Sequence, residues 1–188
     1  AAIAVNSAMT GHLVLSTLHA NDAATTLPRL LEMGIEPFLV ASTVNVVIAQ
    51  RLVRQICDRC RVSTPPTAEM KKLIEDESEL KTLFKQRGYA TLSKLTFYHG
   101  AGCEMCRDTG FRGRIGIFEV LEMSEEVKAL VVQRAAAGEI VKTARLPRRS
   151  GAAAGAGKSP MTTMLEDGLD KVLSGLTTLD EVLRVTKI

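Results

Sequence analysis

From Thr10 to Asp22 the chain reads TGHLVLSTLHAND, and between Leu13 and Leu18 both alternating faces are apolar or small hydroxyl: Leu13, Leu15 and Thr17 against Val14, Ser16 and Leu18. That pattern predicts a strand covered on both sides, as in a parallel sheet flanked by helices. His19 falls where such a strand ends, followed closely by Asn21 and Asp22. Ligands of open α/β sheets collect beyond the carboxyl ends of the strands, so this histidine is placed to touch a bound phosphate or a water. The plainer reading is that His19 caps a backbone carbonyl and that Asn21 or Asp22 starts the next helix. Around this stretch, Ala1 to Met9 has helix-forming composition and Thr10-Gly11 ends it. Ala23 to Met33 predicts a helix with Leu27, Leu30 and Leu31 on one face and Gly34 as its stop. Pro28 would kink that helix unless it starts nearer Thr25 or Thr26.

Pro37 to Gln50 contains FLVASTVNVVIA, apolar nearly all round and rich in β-branched residues. Its length and leading proline predict a buried helix, and Arg51 to Ile56 a short strand. Thr64-Pro65-Pro66 is a linker, and Thr67 to Arg87 a charged helical stretch broken near Ser78. Leu95 to His99 predicts a strand, and Ile115 to Leu121, after the turn at Gly110 to Arg114, another that could pair with Arg51 to Ile56. Ser124 would cap a helix to about Ala137, with Gly138 separating it from a shorter one ending near Arg145. Met161 to Leu173 predicts a helix stopped by Gly175, and Thr178-Leu179-Asp180-Glu181 a capping box for a last helix. Alternating strands and helices place the chain in the α/β class.

The cysteines fall as Cys57-Asp58-Arg59-Cys60 and Cys103-Glu104-Met105-Cys106. Each pair can form a knuckle offering two thiolates to one side, and two knuckles together give the four sulfurs of a tetrahedral zinc site. The 42 residues between Cys60 and Cys103 must then fold as an excursion that returns to its starting point, with zinc closing the loop. Two disulfides, which need an oxidising compartment, and thioredoxin-like redox pairs are the alternatives. Four sulfur ligands leave no open position for water, so the zinc is expected to be structural. They also fill the shell, which leaves His99 to the surface or to packing.

A content of 46% hydrophobic and 24% charged residues argues against disorder, and 188 residues suffice to bury a core without disulfides. The net charge of +3, with 4% aromatics and no Trp, offers little of the basic, stacking surface used by single-stranded nucleic-acid binders, so no nucleic-acid partner is expected. No window approaches the ~20 apolar residues of a membrane span, and AAIAVNSAM lacks the basic start of a signal peptide. Opening on Ala1 inside helix-forming sequence, the chain is expected to be a piece of a longer protein. The run LPRRSGAAAGAGKSP contains GAGKS, but a phosphate-binding loop needs glycine at position 152, where this chain has Ala152. With a basic, proline-containing run before it and Pro160 directly after, 146–160 is expected to be a flexible Ala/Gly loop.

TGHLVLSTLHAND, RLLEMGIEPFLVAS, AQRLVRQIC, the two Cys-x-x-Cys pairs, GFRGRIGIFEVLEMS and TMLEDGLDKVLSGLTTLDEVLRVT together resemble, in order, the secretion ATPases of type II secretion and type IV pilus assembly. Only Leu146 to Pro160 looks foreign to that family. The resemblance implies the C-terminal part of a RecA-like P-loop ATPase core with histidine box (1–56), a tetracysteine zinc subdomain (57–122, ligands Cys57, Cys60, Cys103 and Cys106) and a C-terminal helical subdomain (123–188). It implies that His19 approaches the terminal phosphate of ATP. It further implies a cytoplasmic homo-hexamer that uses ATP and Mg²⁺ and works on an inner-membrane platform protein, reaching the membrane only through partners. The phosphate-binding loop and acidic boxes, which precede the histidine box in that family, are absent here, so this chain alone is expected to turn over no ATP. The competing expectation is a stand-alone structural zinc module that serves interactions and does no nucleotide chemistry.

Overall fold

The computed structural model describes residues 1–89, 91–92, 95–146 and 160–186. The loop expected at 146–160, GAGKS included, lies apart from its two end residues outside the described residues. The chain forms two compact units, one of 1–50 with 118–164 and one of 51–117 with 165–188. These boundaries cut across the sequence segments 1–56, 57–122 and 123–188.

The first unit contains helices α1 (Ala2–Met9), α2 (Ala23–Glu32), α3 (Pro37–Thr43), α6 (Glu125–Val132) and α7 (Ala137–Ala144). Leu27 on α2, Val40 on α3, Val127 and Val131 on α6 and Ile140 on α7 are the fully buried centre of its core. At the start of α2 the Asp22 carboxylate accepts the Thr25 N–H at 2.7 Å, as an N-cap should. At its end, Gly34 N–H donates to Leu31 and Ile35 N–H to Leu30, a Schellman closure made possible by Gly34 at φ +83°. The helix begins at Ala23, so Pro28 is inside it and not in its first turn. The proline leaves the Ala24 carbonyl without its helical donor, and the buried apolar face holds the helix together regardless.

Three expectations for this unit are overturned. Residues 12–20 form no strand, and Leu13 and Leu15 are 87% and 89% exposed. A strand exists through its bonds to a neighbour, and no described strand pairs with this stretch. The helix begun at Pro37 stops at Thr43, Val44 turns extended, and the rest of the apolar run is strand β1 (Val46–Ile56). The β-branched Val46-Val47-Ile48 lose side-chain freedom in a helix and suit a pleated strand, and β4 (Phe111–Glu122) supplies the ladder. Finally, Gly138 sits within α7, and the break after α6 is made by Arg134 in the left-handed region at φ 56°.

Asn45 accepts from Met123 at one end of the β1–β4 pair and Gly110 from Cys57 at the other, so the strands run antiparallel. On β4 the buried face carries Ile117, Glu119 and Leu121. Glu119 is no misfit there, because its oxygens accept the N–H of Ala23, first residue of α2, at 2.9 Å and of Met164, first residue of α8 (Met164–Leu173), at 3.3 Å. One carboxylate thus meets the partial positive charge of two helix starts.

The second unit holds β2 (Arg61–Thr64) and β3 (Phe97–Gly100), antiparallel with Arg61 opposite Gly100 and Thr64 opposite Phe97. Helices α4 (Ala68–Asp76) and α5 (Ser78–Gln86) meet at Glu77, close to the expected break. They bury Ile74, Leu80, Leu83 and Phe84, and Phe84 meets Phe97 edge to face with ring centroids 6.3 Å apart. α8 ends at Leu173 with Gly175 in the left-handed region just beyond it, and α9 (Leu179–Thr186) packs so closely that a Cβ on Gly168 would lie 2.5 Å from Val182.

Candidate metal centre

Each cysteine pair sits where a two-stranded ladder runs out. Cys57 follows β1 and its N–H donates to the Gly110 carbonyl at 3.0 Å, extending the β1–β4 ladder by one bond. Cys60 precedes β2, and its carbonyl accepts from Ala101 at 2.9 Å, extending the β2–β3 ladder in the same way. The first knuckle closes through Cys60 N–H to Cys57 at 3.2 Å. The second is a single 3-10 turn, Glu104–Cys106, after which Arg107 and Asp108 take φ values of 52° and 59° so that the chain doubles back into β4. The excursion between the knuckles therefore returns to its starting point through backbone pairing.

The four sulfurs lie within 4.8 Å of one another, with Cys57 to Cys103 at 3.9 Å, Cys60 to Cys106 at 3.8 Å and Cys103 to Cys106 at 3.7 Å. An ion holding four thiolates at about 2.3 Å in a tetrahedron sets them about 3.8 Å apart, so the donor set fits zinc in kind, number and spacing. All four cysteines are free thiols, and these separations are far from the ~2.05 Å of a disulfide. Cys57 and Cys106 are buried, and Cys60 and Cys103 half-buried.

The surroundings treat the four thiols unequally. Burial pushes the Cys106 thiol up, but N–H groups of Cys103 and Gly110, each 3.3 Å from its sulfur, and the neighbouring thiols bring it down to about 6. Burial pushes Cys60 up to about 12, with the other three thiols adding to the rise and the Gly102 N–H opposing it. Four thiolates repel one another at this spacing, and a divalent cation among them removes the conflict. The four cysteines could hold a metal ion, and no open position would remain for catalysis on it.

Two glycines make the meeting of the ladders possible. A Cβ on Gly100 would lie 2.0 Å from the Gly110 carbonyl oxygen, and one on Gly110, at φ +74°, would lie 2.5 Å from the Gly100 oxygen. Neither requirement shows in the sequence, where Gly110 reads only as part of a turn. The exposed His99, paired across the ladder with Val62, is a surface residue as expected.

His19 belongs to the other unit. It is exposed, in the stretch without helix or strand, and its ring makes no hydrogen bond to a described residue. Of the two roles expected for the residues beside it, Asp22 fills the plainer one and caps α2. Glu181 departs from expectation too. Thr178 Oγ1 accepts the Glu181 N–H at 3.4 Å, but the Glu181 carboxylate, instead of completing the capping box, turns to Arg54 and Arg184. It is 3% exposed, and although burial opposes its ionisation, Arg184 and then Arg54 hold it down at about 2. The carboxylate in turn raises the Arg184 pKa.

The family model described as type II/IV secretion system protein matches residues 1–184. The chain belongs to that family. Among curated members of the type II/IV secretion family, the chain is 41% identical over 187 residues to a protein of Thermus thermophilus named type IV pilus assembly ATPase PilB. It is 43% identical to type II secretion system protein E of Dickeya dadantii and 37% to type II secretion system ATPase E of Vibrio cholerae. These matches take in 99% of the chain for the first and 100% for the other two, but only 18%, 32% and 32% of the relatives, so the chain spans between about a fifth and a third of their length. No helix among the described residues is long and apolar enough to cross a membrane.

Proposed function

We propose that this chain serves as the C-terminal part of an ATP-hydrolysing motor for type II protein secretion or type IV pilus assembly. The observation that carries this reading is the likeness, in matches that take in 99% or more of the chain, to relatives whose names include type IV pilus assembly ATPase and type II secretion system ATPase. In it, residues 1–56 belong to a RecA-like core, His19 reaches toward the terminal phosphate of a Mg²⁺-bound ATP, and 123–188 form a helical subdomain. Cys57, Cys60, Cys103 and Cys106 hold a structural zinc ion that ties residues 57–122 together. The whole protein works as a cytoplasmic homo-hexamer on an inner-membrane platform protein. The exposure of His19 agrees with a role toward a ligand held by other parts of the protein, since a packing histidine would be covered.

The test is steady-state ATP hydrolysis by the whole protein with and without His19→Ala, and by this chain alone. A loss of kcat of at least about tenfold is expected for the variant, in keeping with a group that stabilises a reacting phosphate, and no turnover for the 188-residue chain. Wild-type turnover in the variant would remove His19 from the mechanism. Turnover by the chain alone that disappears with Lys158→Ala would make GAGKS a working phosphate loop.

A further inference from the structure

The first cysteine knuckle is gripped on both flanks by one turn of the chain. Before it, Ile56 N–H donates to the Leu176 carbonyl at 2.9 Å, Thr177 Oγ1 donates to the Arg54 carbonyl at 2.8 Å, and Arg54 N–H donates to Glu181 Oε2 at 2.9 Å. The Arg54 guanidinium also donates to Glu181 Oε1 at 2.8 Å and lies over the Phe111 ring, 4.2 Å from its centroid. After it, Arg61 donates to the Gly175 carbonyl at 3.2 Å and lies over Tyr98. Gly175 itself presses on that Tyr98 ring, where a Cβ would come within 2.8 Å. Arg54, Ile56 and Arg61 thus bracket Cys57 and Cys60, and each of the three is tied to 175–181.

We propose that the Gly175–Glu181 turn is a strap that positions the first knuckle, with Glu181 as its positioning residue, so that metal held by the four cysteines and docking of α8 and α9 strengthen each other. The proposal rests on the metal reading of the cysteines. A pair of ligands on a short turn has little stiffness of its own, and groups that orient ligands from outside the coordination shell typically change metal affinity by about 10–100-fold. Glu181 is suited to this because one carboxylate fixes both the backbone and the side chain of Arg54, three residues before Cys57, while Arg184 holds it from α9. Coupling of this kind is reciprocal: whatever pulls α9 from β1 loosens the metal, and loss of the metal loosens α9.

The experiment begins with the metal content of the full chain, where one zinc per chain is expected; a chain that binds none overturns the metal reading and this proposal with it. Zinc release to an excess of a chromogenic chelator is then followed in wild type, Glu181→Gln, Arg54→Lys and Leu83→Ala. Glu181→Gln should release zinc at least about tenfold faster. Arg54→Lys, which keeps the charge but gives up the stacking on Phe111, should fall between wild type and Glu181→Gln, and Leu83→Ala, which loosens the same unit away from the strap, should stay near wild type. Equal acceleration by Leu83→Ala, or a wild-type rate in Glu181→Gln, overturns the strap while leaving the zinc site standing. Should Glu181→Gln fail to fold, amide exchange of wild type with and without zinc decides. Removal of the metal should speed exchange at Ile56 and along α9 more than along α4 and α5, and uniform acceleration over the unit overturns the proposal.

Discussion

The cysteine centre and the histidine stretch are the two places where sequence pointed to chemistry, and they differ in how much of each site the chain builds by itself. The cysteines sit at the ends of two ladders whose strands all lie in this chain, and backbone bonds close both knuckles before any ion is considered. The histidine stretch has apolar residues fit for a sheet, yet Leu13 and Leu15 stand in solvent and no described strand pairs with them. A local turn carries its ligands wherever it folds. A strand-end residue acquires its surroundings from neighbouring strands, and its chemistry is incomplete without them.

The largest expected effect sharpens that contrast. Cys103→Ser, or stripping with a chelator, should destabilise the second unit more than any other change, most at the two knuckles, Ile56 and α9 and least along α4 and α5, since structural zinc sites contribute about 10–16 kcal/mol of apparent binding energy. Amide protection in α2, α3 and α6 should survive, and hydrogen exchange resolved by segment reads both. Joint collapse of the two units would erase the distinction between a self-built and a metal-dependent part.

Next in size is Glu181→Gln, expected to cost about 2 kcal/mol at pH 7, below the scale of a fully buried ion pair because Arg54 and Arg184 stay more than half exposed and screened by solvent. Because the folded pKa is lowered to about 2, the carboxylate's contribution is fully present above its ordinary value near 4.5 and fades as pH falls from there through about 2. Denaturation of wild type and variant should therefore show a gap at pH 5 to 7 that narrows toward pH 2, the two being compared at matched zinc occupancy at each pH because the thiolates that hold zinc are themselves protonated as pH falls. A gap independent of pH would mean that the charge of Glu181 is not what stabilises.

Asp22→Ala removes one N-cap bond and should cost about 1 kcal/mol, seen as a shift in the first unit's unfolding midpoint. His19→Ala should change stability by less than about 0.5 kcal/mol, because the side chain is exposed. A larger loss would show that the histidine supports the fold, and the comparison between the two regions would have to be redrawn.

Much of the local structure was open to reading in one dimension. The caps at Asp22 and Ser124, the stops at Gly34 and Gly175, the break near Ser78 and the two knuckles depend on residues a few positions apart, and those signals lie together in sequence. The capping box at Thr178 was legible only in half, since the Glu181 carboxylate is taken by Arg184 three residues on and by Arg54, 127 residues away.

The sequence by itself determined the α/β mixture, the family and the four cysteines as one set, because spacing and ordered motifs suffice for each. Only the tertiary structure decided that VNVVIA is a strand, that Gly100 and Gly110 must lack side chains, and that the carboxylates of Glu119 and Glu181 are buried. Each of these depends on what a distant segment brings alongside: a ladder partner, a crossing backbone, or a set of N–H and guanidinium donors. Propensity and periodicity report a residue's own preferences, whereas burial and pairing belong to two segments at once.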